Sequence, residues 1–113
     1  MKSKQKKAKA ADIPKLMAPF RKRIDRLDDR IVDMLAVRYG IIREVGHFKT
    51  KNGIPAVIAS RVRQVRGRCT ERARRKGIDH ATVRKVYDLL IESACRLEQG
   101  IIAKGRKRDQ SRR

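Results

Sequence analysis

Residues 14–51 read PKLMAPFRKRIDRLDDRIVDMLAVRYGIIREVGHFKTK. Apolar side chains recur through this stretch in steps of three and four: Ile24, Leu27, Ile31, Met34, Leu35, Ile41, Ile42, Val45 and Phe48. Charged residues fill the gaps, the pattern of a helix with one face turned to an apolar surface. Pro19 is tolerable near a first turn but not deep inside a helix, so regular helix is expected from about Ala18 to Lys51. At 1.5 Å per residue such a helix is about 50 Å long, longer than a small single-chain domain is wide. A lone copy would leave much of the stripe in water, and pairing two long helices in a homodimer removes that cost.

Asn52-Gly53-Ile54-Pro55 then stops the pattern, with a glycine after the last periodic residue and a proline behind it. A second helix is expected from about Ala59 to Lys76, with Val62, Val65, Cys69 and Ala73 as a narrow apolar stripe. The rest of it is basic: Arg61, Arg63, Arg66, Arg68, Arg72, Arg74, Arg75 and Lys76 face a single acid, Glu71. Gly77 suits the position just past a helix end. Asp79 suits the cap of a third helix, where an acid also complements the helix dipole. Val83, Val86, Leu90, Ala94, Leu97 and Ile101 give that helix its stripe. No alternating strand pattern and no internal repeat occurs, so the fold class is all-α: one long helix and two shorter ones, with the long helices paired in a homodimer.

The chain has 113 residues with 32 Lys plus Arg against 12 Asp plus Glu, a formal charge of +20. That length allows one small domain. Residues 1–11 carry five lysines and no acid, and residues 104–113 carry six basic residues and one acid, which leaves about +10 on the middle. Residues 1–13 therefore read as a basic disordered tail, 14–103 as the helical domain, and 104–113 as a second basic, solvated tail. Solubility is the simpler role for both tails; contact with nucleic acid is the other, not favoured here. No apolar run is long enough for a membrane span and no apolar core follows the basic start, so neither a membrane helix nor a secretory leader is expected, and the location is read as cytoplasmic.

Many catalytic constellations are absent: no phosphate-binding or dinucleotide glycine motif, no CxxC, no HExxH. His47 reads as solvent-facing and His80 as an early residue of the third helix. Cys69 and Cys95, the two cysteines, fall on apolar stripes and read as small hydrophobes. No metal and no cofactor are expected. Cations at inward-facing positions remain. Arg38 and Lys49 are eleven residues apart, about 20° apart around a helix and about 16 Å along it, so their long side chains converge on one small anion. Arg21 lies about 100° away and about 25 Å along the axis from Arg38. It does not easily reach that pocket from its own helix, whereas Arg21 of the partner subunit would.

The stretch Phe20-Arg21-Lys22-Arg23-Ile24-Asp25-Arg26-Leu27-Asp28 resembles the opening of AroQ-class chorismate mutases. So do Leu35-Ala36-Val37-Arg38, Val45-Gly46-His47-Phe48-Lys49, the loop through Ile54-Pro55, Ser60-Arg61-Val62, Glu71 to Asp79, and the third helix through Glu98. Isochorismate–pyruvate lyases of the same fold are about equally similar. The resemblance covers roughly residues 17–100 and implies an intertwined all-helical homodimer whose two sites each draw on both subunits. It implies that the partner's Arg21, with Arg38 and Arg61, grips substrate carboxylates, that Lys49 donates to the ether oxygen of the breaking bond, and that Glu98 faces the same oxygen. It also marks departures. Ile58 and Val62 stand where mutases often place an Asp and a Glu that contact the substrate hydroxyl, and Ala94 replaces a Ser. The register of this loop leaves Arg63 as an alternative to Arg61.

The implied activity is chorismate mutase: rearrangement of chorismate to prephenate, for aromatic amino acid synthesis in the shikimate pathway. One pericyclic step of this kind needs no nucleophile and no base. It needs a dianion held in a compact shape and a cation facing the developing charge, work for which arginine forks and a preorganised ammonium are suited. A protonated Glu98 would donate to the ether oxygen and an ionised one would repel it, so activity is expected to rise toward acidic pH and Glu98→Gln to flatten that rise. The alternatives are isochorismate–pyruvate lyase, giving salicylate plus pyruvate, and a non-catalytic basic helical protein that binds nucleic acid with steep salt dependence.

Overall fold

The computed structural model describes residues 6–112, and the first residues of the expected N-terminal tail, 1–5, lie outside them. A short 3-10 turn, Ala10–Asp12, leads into three helices: α1, Ile13–Asn52; α2, Ala59–Arg75; and α3, His80–Ser111. No strand occurs among the described residues. No helix there is long and apolar enough to cross a membrane. The chain divides into two compact units, Met1–Val37 and Arg38–Arg113, so that α1 contributes to both.

In the first unit α1 begins five residues earlier than the expected start near Ala18. Pro14, at its second position, loses nothing there, because the first N–H groups of a helix have no intrahelical acceptor. Pro19 stands inside the helix, at the cost of one backbone hydrogen bond. The periodic stripe of this unit is exposed: Phe20 is 54%, Leu27 55% and Ile31 56% accessible.

The second unit contains the core. Val65, Cys69 and Ala73 on α2 are buried, as are Ala94 and Glu98 on α3. Four of these five are apolar and three of those are small, which lets two helix backbones approach closely. Arg66 on α2 pairs with Asp88 on α3 at 2.5 Å at the edge of this contact. Val86, expected on the α3 stripe, is instead 47% exposed, while Tyr87 beside it turns inward. Burial, and the neighbouring Cys69 thiol, push the Tyr87 hydroxyl above its usual range.

Both helix breaks follow the local signals. Gly53 and Gly77 have φ of +63° and +70°, left-handed geometry that side chains resist. Past Gly77, the Ile78 amide donates to Ala73 and the Gly77 amide to Arg74, the paired bonds of a Schellman ending. Asp79 caps α3, accepting from the Ala81 amide at 3.2 Å and the Thr82 hydroxyl at 2.6 Å. The C-terminal stretch departs from expectation. α3 does not stop near residue 103 in a disordered tail but runs to Ser111. Lys, Arg and Gln are good helix formers and extension of a formed helix is cheap. Gly105 is also held against Thr50 of α1, where a side-chain carbon at 105 would lie 2.5 Å from Thr50 Cγ2.

Candidate functional site

Within the second unit, α1, the loop before α2, α2 and α3 enclose a cavity of about 300 Å³. Arg38 and Lys49 enter it from α1, Arg61 from the first turn of α2, and Glu98 from α3. The face of α1 that Arg38 and Lys49 share is thus the face turned to the cavity. Arg61 and Arg63 are both exposed; Arg61, whose Nη1 donates to Gln64 Oε1 at 2.8 Å, is among the lining residues and Arg63 is not. Arg21 belongs to the first unit, exposed on α1. His47 is exposed, and His80 is the first residue of α3. Cys69 is buried in the core, whereas Cys95 is half-buried on the cavity wall.

Lys49 Nζ lies 2.7 Å from Glu98 Oε1 and donates to the Ala56 carbonyl at 2.8 Å. That carbonyl carries no mark in the sequence, and only the fold of the loop brings it to the ammonium. The backbone carbonyl of Lys49 is used as well, accepting from the Ile54 amide at 2.9 Å. Lys49 is therefore tied to the connection between α1 and α2 through its backbone carbonyl and through its ammonium. Its approach to Glu98 is an ion pair without hydrogen-bond alignment. Among the described residues, Glu98 Oε1 and Arg38 Nη1 are buried polar atoms with no hydrogen-bond partner. An unmet buried donor on a guanidinium is costly in a finished core. Beside a cavity the Arg38 nitrogen is free to engage a ligand, whereas Glu98 Oε1 already faces the Lys49 ammonium at 2.7 Å.

Three cations and one carboxylate line the cavity, a formal excess of two positive charges. The walls between them are apolar, including Ile41, Ile58, Val62, Ile91 and Ala94. Such a site suits a small, compact, doubly negative molecule with a hydrocarbon frame. Apolar walls beside the cations lower the local polarity and strengthen their pull on an anion. Glu98 is 7% exposed and is a carboxyl with no competing acid among the lining residues.

Comparison with known proteins bears on the same residues. A family model described as chorismate mutase type II matches residues 20–99. A 4-amino-4-deoxychorismate mutase of Streptomyces pristinaespiralis is 34% identical over 86 residues, 76% of this chain and 67% of that protein. A 4-amino-4-deoxychorismate mutase of Streptomyces venezuelae is 26% identical over 85 residues, 75% of this chain and 82% of that protein. A chorismate mutase of Methanocaldococcus jannaschii is 28% identical over 76 residues, 67% of this chain and 77% of that protein. The matched segments span most of the helical domain.

Proposed function

The chain belongs to the chorismate mutase type II family, and from that membership we propose that it catalyses the pericyclic rearrangement of chorismate to prephenate, as a cytoplasmic homodimer. The observation that carries this reading is the gathering of Arg38, Lys49, Arg61 and Glu98 on one apolar-walled cavity. In the reaction one C–O ether bond breaks as one C–C bond forms, and no atom enters or leaves. The catalyst's task is to hold the reactive shape and to meet negative charge growing on the ether oxygen. Arg38 and Arg61 hold carboxylates, and the unpaired Nη1 of Arg38 is the donor available for one. Lys49, fixed by the Ala56 carbonyl, presents its ammonium to the ether oxygen. Glu98 faces the same oxygen beside the Lys49 ammonium, 2.7 Å from it.

The exposed stripe of the first unit supports the dimer. Phe20, Ile24, Leu27 and Ile31 are apolar, periodic and exposed, the arrangement a second copy would cover. In that dimer the partner's Arg21 completes the site by gripping the substrate from across the interface.

A second reading concerns the ring substituent. Ile58, Val62 and Ala94 line the cavity where acids and a hydroxyl would otherwise meet a ring hydroxyl. Two of the relatives are named for 4-amino-4-deoxychorismate. The amino analogue is therefore the rival substrate for the same rearrangement. Purified protein incubated separately with chorismate, 4-amino-4-deoxychorismate and isochorismate decides among them. Prephenate from chorismate at the highest kcat/KM supports the proposal. Faster turnover of the amino compound supports the second reading, and salicylate plus pyruvate from isochorismate supports a lyase. Silence on all three, with salt-sensitive binding to duplex DNA or RNA, would replace catalysis by nucleic-acid binding.

A further inference from the structure

Two glycines bring α1 and α3 into contact. A side-chain carbon built on Gly46 would lie 2.9 Å from Cδ1 of Ile101, and one built on Gly105 would lie 2.5 Å from Cγ2 of Thr50. Gly46 and Thr50 are one turn apart on α1, and Ile101 and Gly105 are one turn apart on α3. The two contacts are thus consecutive rungs of one crossing. With the Tyr39–Ser93 hydroxyl pair at 2.6 Å, they set the helices parallel at a nearly constant sequence offset.

The rungs differ in stiffness. Cδ1 of Ile101 is the free end of a flexible side chain and can turn aside. Thr50 is β-branched, and its Oγ1 donates to the Gly46 carbonyl at 2.8 Å. Swinging its methyl away gives up that bond. A methyl at position 105 therefore pushes on the α1 backbone itself. The neighbours in sequence are the site: Lys49 precedes Thr50, and Glu98 stands three residues before Ile101. Any slide or separation of α3 against α1 passes into the 2.7 Å spacing of Lys49 Nζ and Glu98 Oε1.

The geometry points to Gly105 and Thr50 as positioning residues for the rearrangement proposed above, on which reading this inference rests. Their contact sets the spacing of ammonium and carboxyl at the cavity. The basic stretch from Lys104 to Ser111 is then part of the framework of the site, not an appendage.

Thr50→Ser keeps the hydroxyl and removes the one methyl that would clash, so it is the designed partner of Gly105→Ala. The expected result is that Gly105→Ala lowers kcat about tenfold or more with KM within about twofold, since small misplacements of reacting groups are costly. Helix content by circular dichroism stays unchanged. Gly105→Ala/Thr50→Ser returns kcat to within about threefold of Thr50→Ser alone. Gly46→Ala, whose one short contact is the movable Cδ1 of Ile101 while Cβ and Cγ2 of that residue lie at 3.4 and 3.5 Å, has a mild effect. A loss confined to KM, or no rescue in the double variant, overturns the proposal. Should Gly105→Ala unfold, the double variant carries the test by itself: folded and active at that level it supports the proposal, unfolded or slow it overturns it. A readout without substrate separates this from the assignment of activity. The coupling between Lys49→Met and Glu98→Gln in thermal unfolding is expected in the parent chain, lost beside Gly105→Ala, and regained in the double variant. Equal coupling in all backgrounds overturns the positioning role whatever the chain turns over. Lost coupling in a chain inactive on every substrate overturns the activity and supports the positioning.

Discussion

Arg38 places a buried guanidinium nitrogen beside the cavity with no hydrogen-bond partner. Its planar fork suits a carboxylate in a way that a lysine ammonium does not. Arg38→Ala is expected to lower kcat/KM by about a hundredfold or more, and Arg38→Lys to recover only a small part of it. Steady-state kinetics on the substrate that turns over best checks both. Glu98 gives a second prediction at this scale: its carboxyl lies 2.7 Å from the Lys49 ammonium, so Glu98→Ala is expected to lower kcat about tenfold or more, and steady-state kinetics unaltered by the substitution would remove Glu98 from the reaction. The convergence of Arg38 and Lys49 was legible from their spacing, because both lie on one helix and the period of that helix is known. The hold of Ala56 on Lys49 was not, because a backbone carbonyl has no residue type by which to recognise it.

The ends of the helices obey local chemistry, and Asp79 is the clearest case. The Thr82 hydroxyl, helped by the amides of Ala81 and Thr82, holds its carboxyl below the ordinary value of 3.8. A carboxyl lowered by folding adds stability above the ordinary value and loses it as pH falls through its own. Asp79→Ala is expected to lower Tm by a few degrees at neutral pH. The gap from the parent should close as pH falls below about 3.8. Thermal unfolding followed at neutral pH and at pH 3 measures it. The breaks at Gly53 and Gly77 were readable because left-handed backbone needs glycine whatever lies around it. The extent of α3 was not. A basic composition suggests a solvated tail, and the packing of Gly105 on Thr50 that accompanies the continued helix involves a residue more than fifty positions away.

At the scale of the whole molecule, the exposed stripe of the first unit makes a definite expectation. Analytical ultracentrifugation should find a dimer at micromolar concentration, and Leu27→Glu with Ile31→Glu should shift it to monomer with loss of activity. Arg21 supplies the sharper test. Arg21→Ala and Arg38→Ala chains, each inactive alone, should regain roughly a quarter of parental activity when refolded together in equal amounts, because random pairing gives half mixed dimers with one intact site in each. No recovery would mean that Arg21 does not act across an interface.

Spacing, a capping carboxylate and a glycine at each break act over a few residues. The sequence by itself therefore determined an all-helical chain, the places where its helices stop, and the common face of Arg38 and Lys49. Which residues of α3 lie beside which residues of α1 was decided only by tertiary packing. The meeting of Lys49 with Glu98 and the packing of Gly105 on Thr50 follow from the fit of surfaces far apart in the chain, and no local rule encodes that fit.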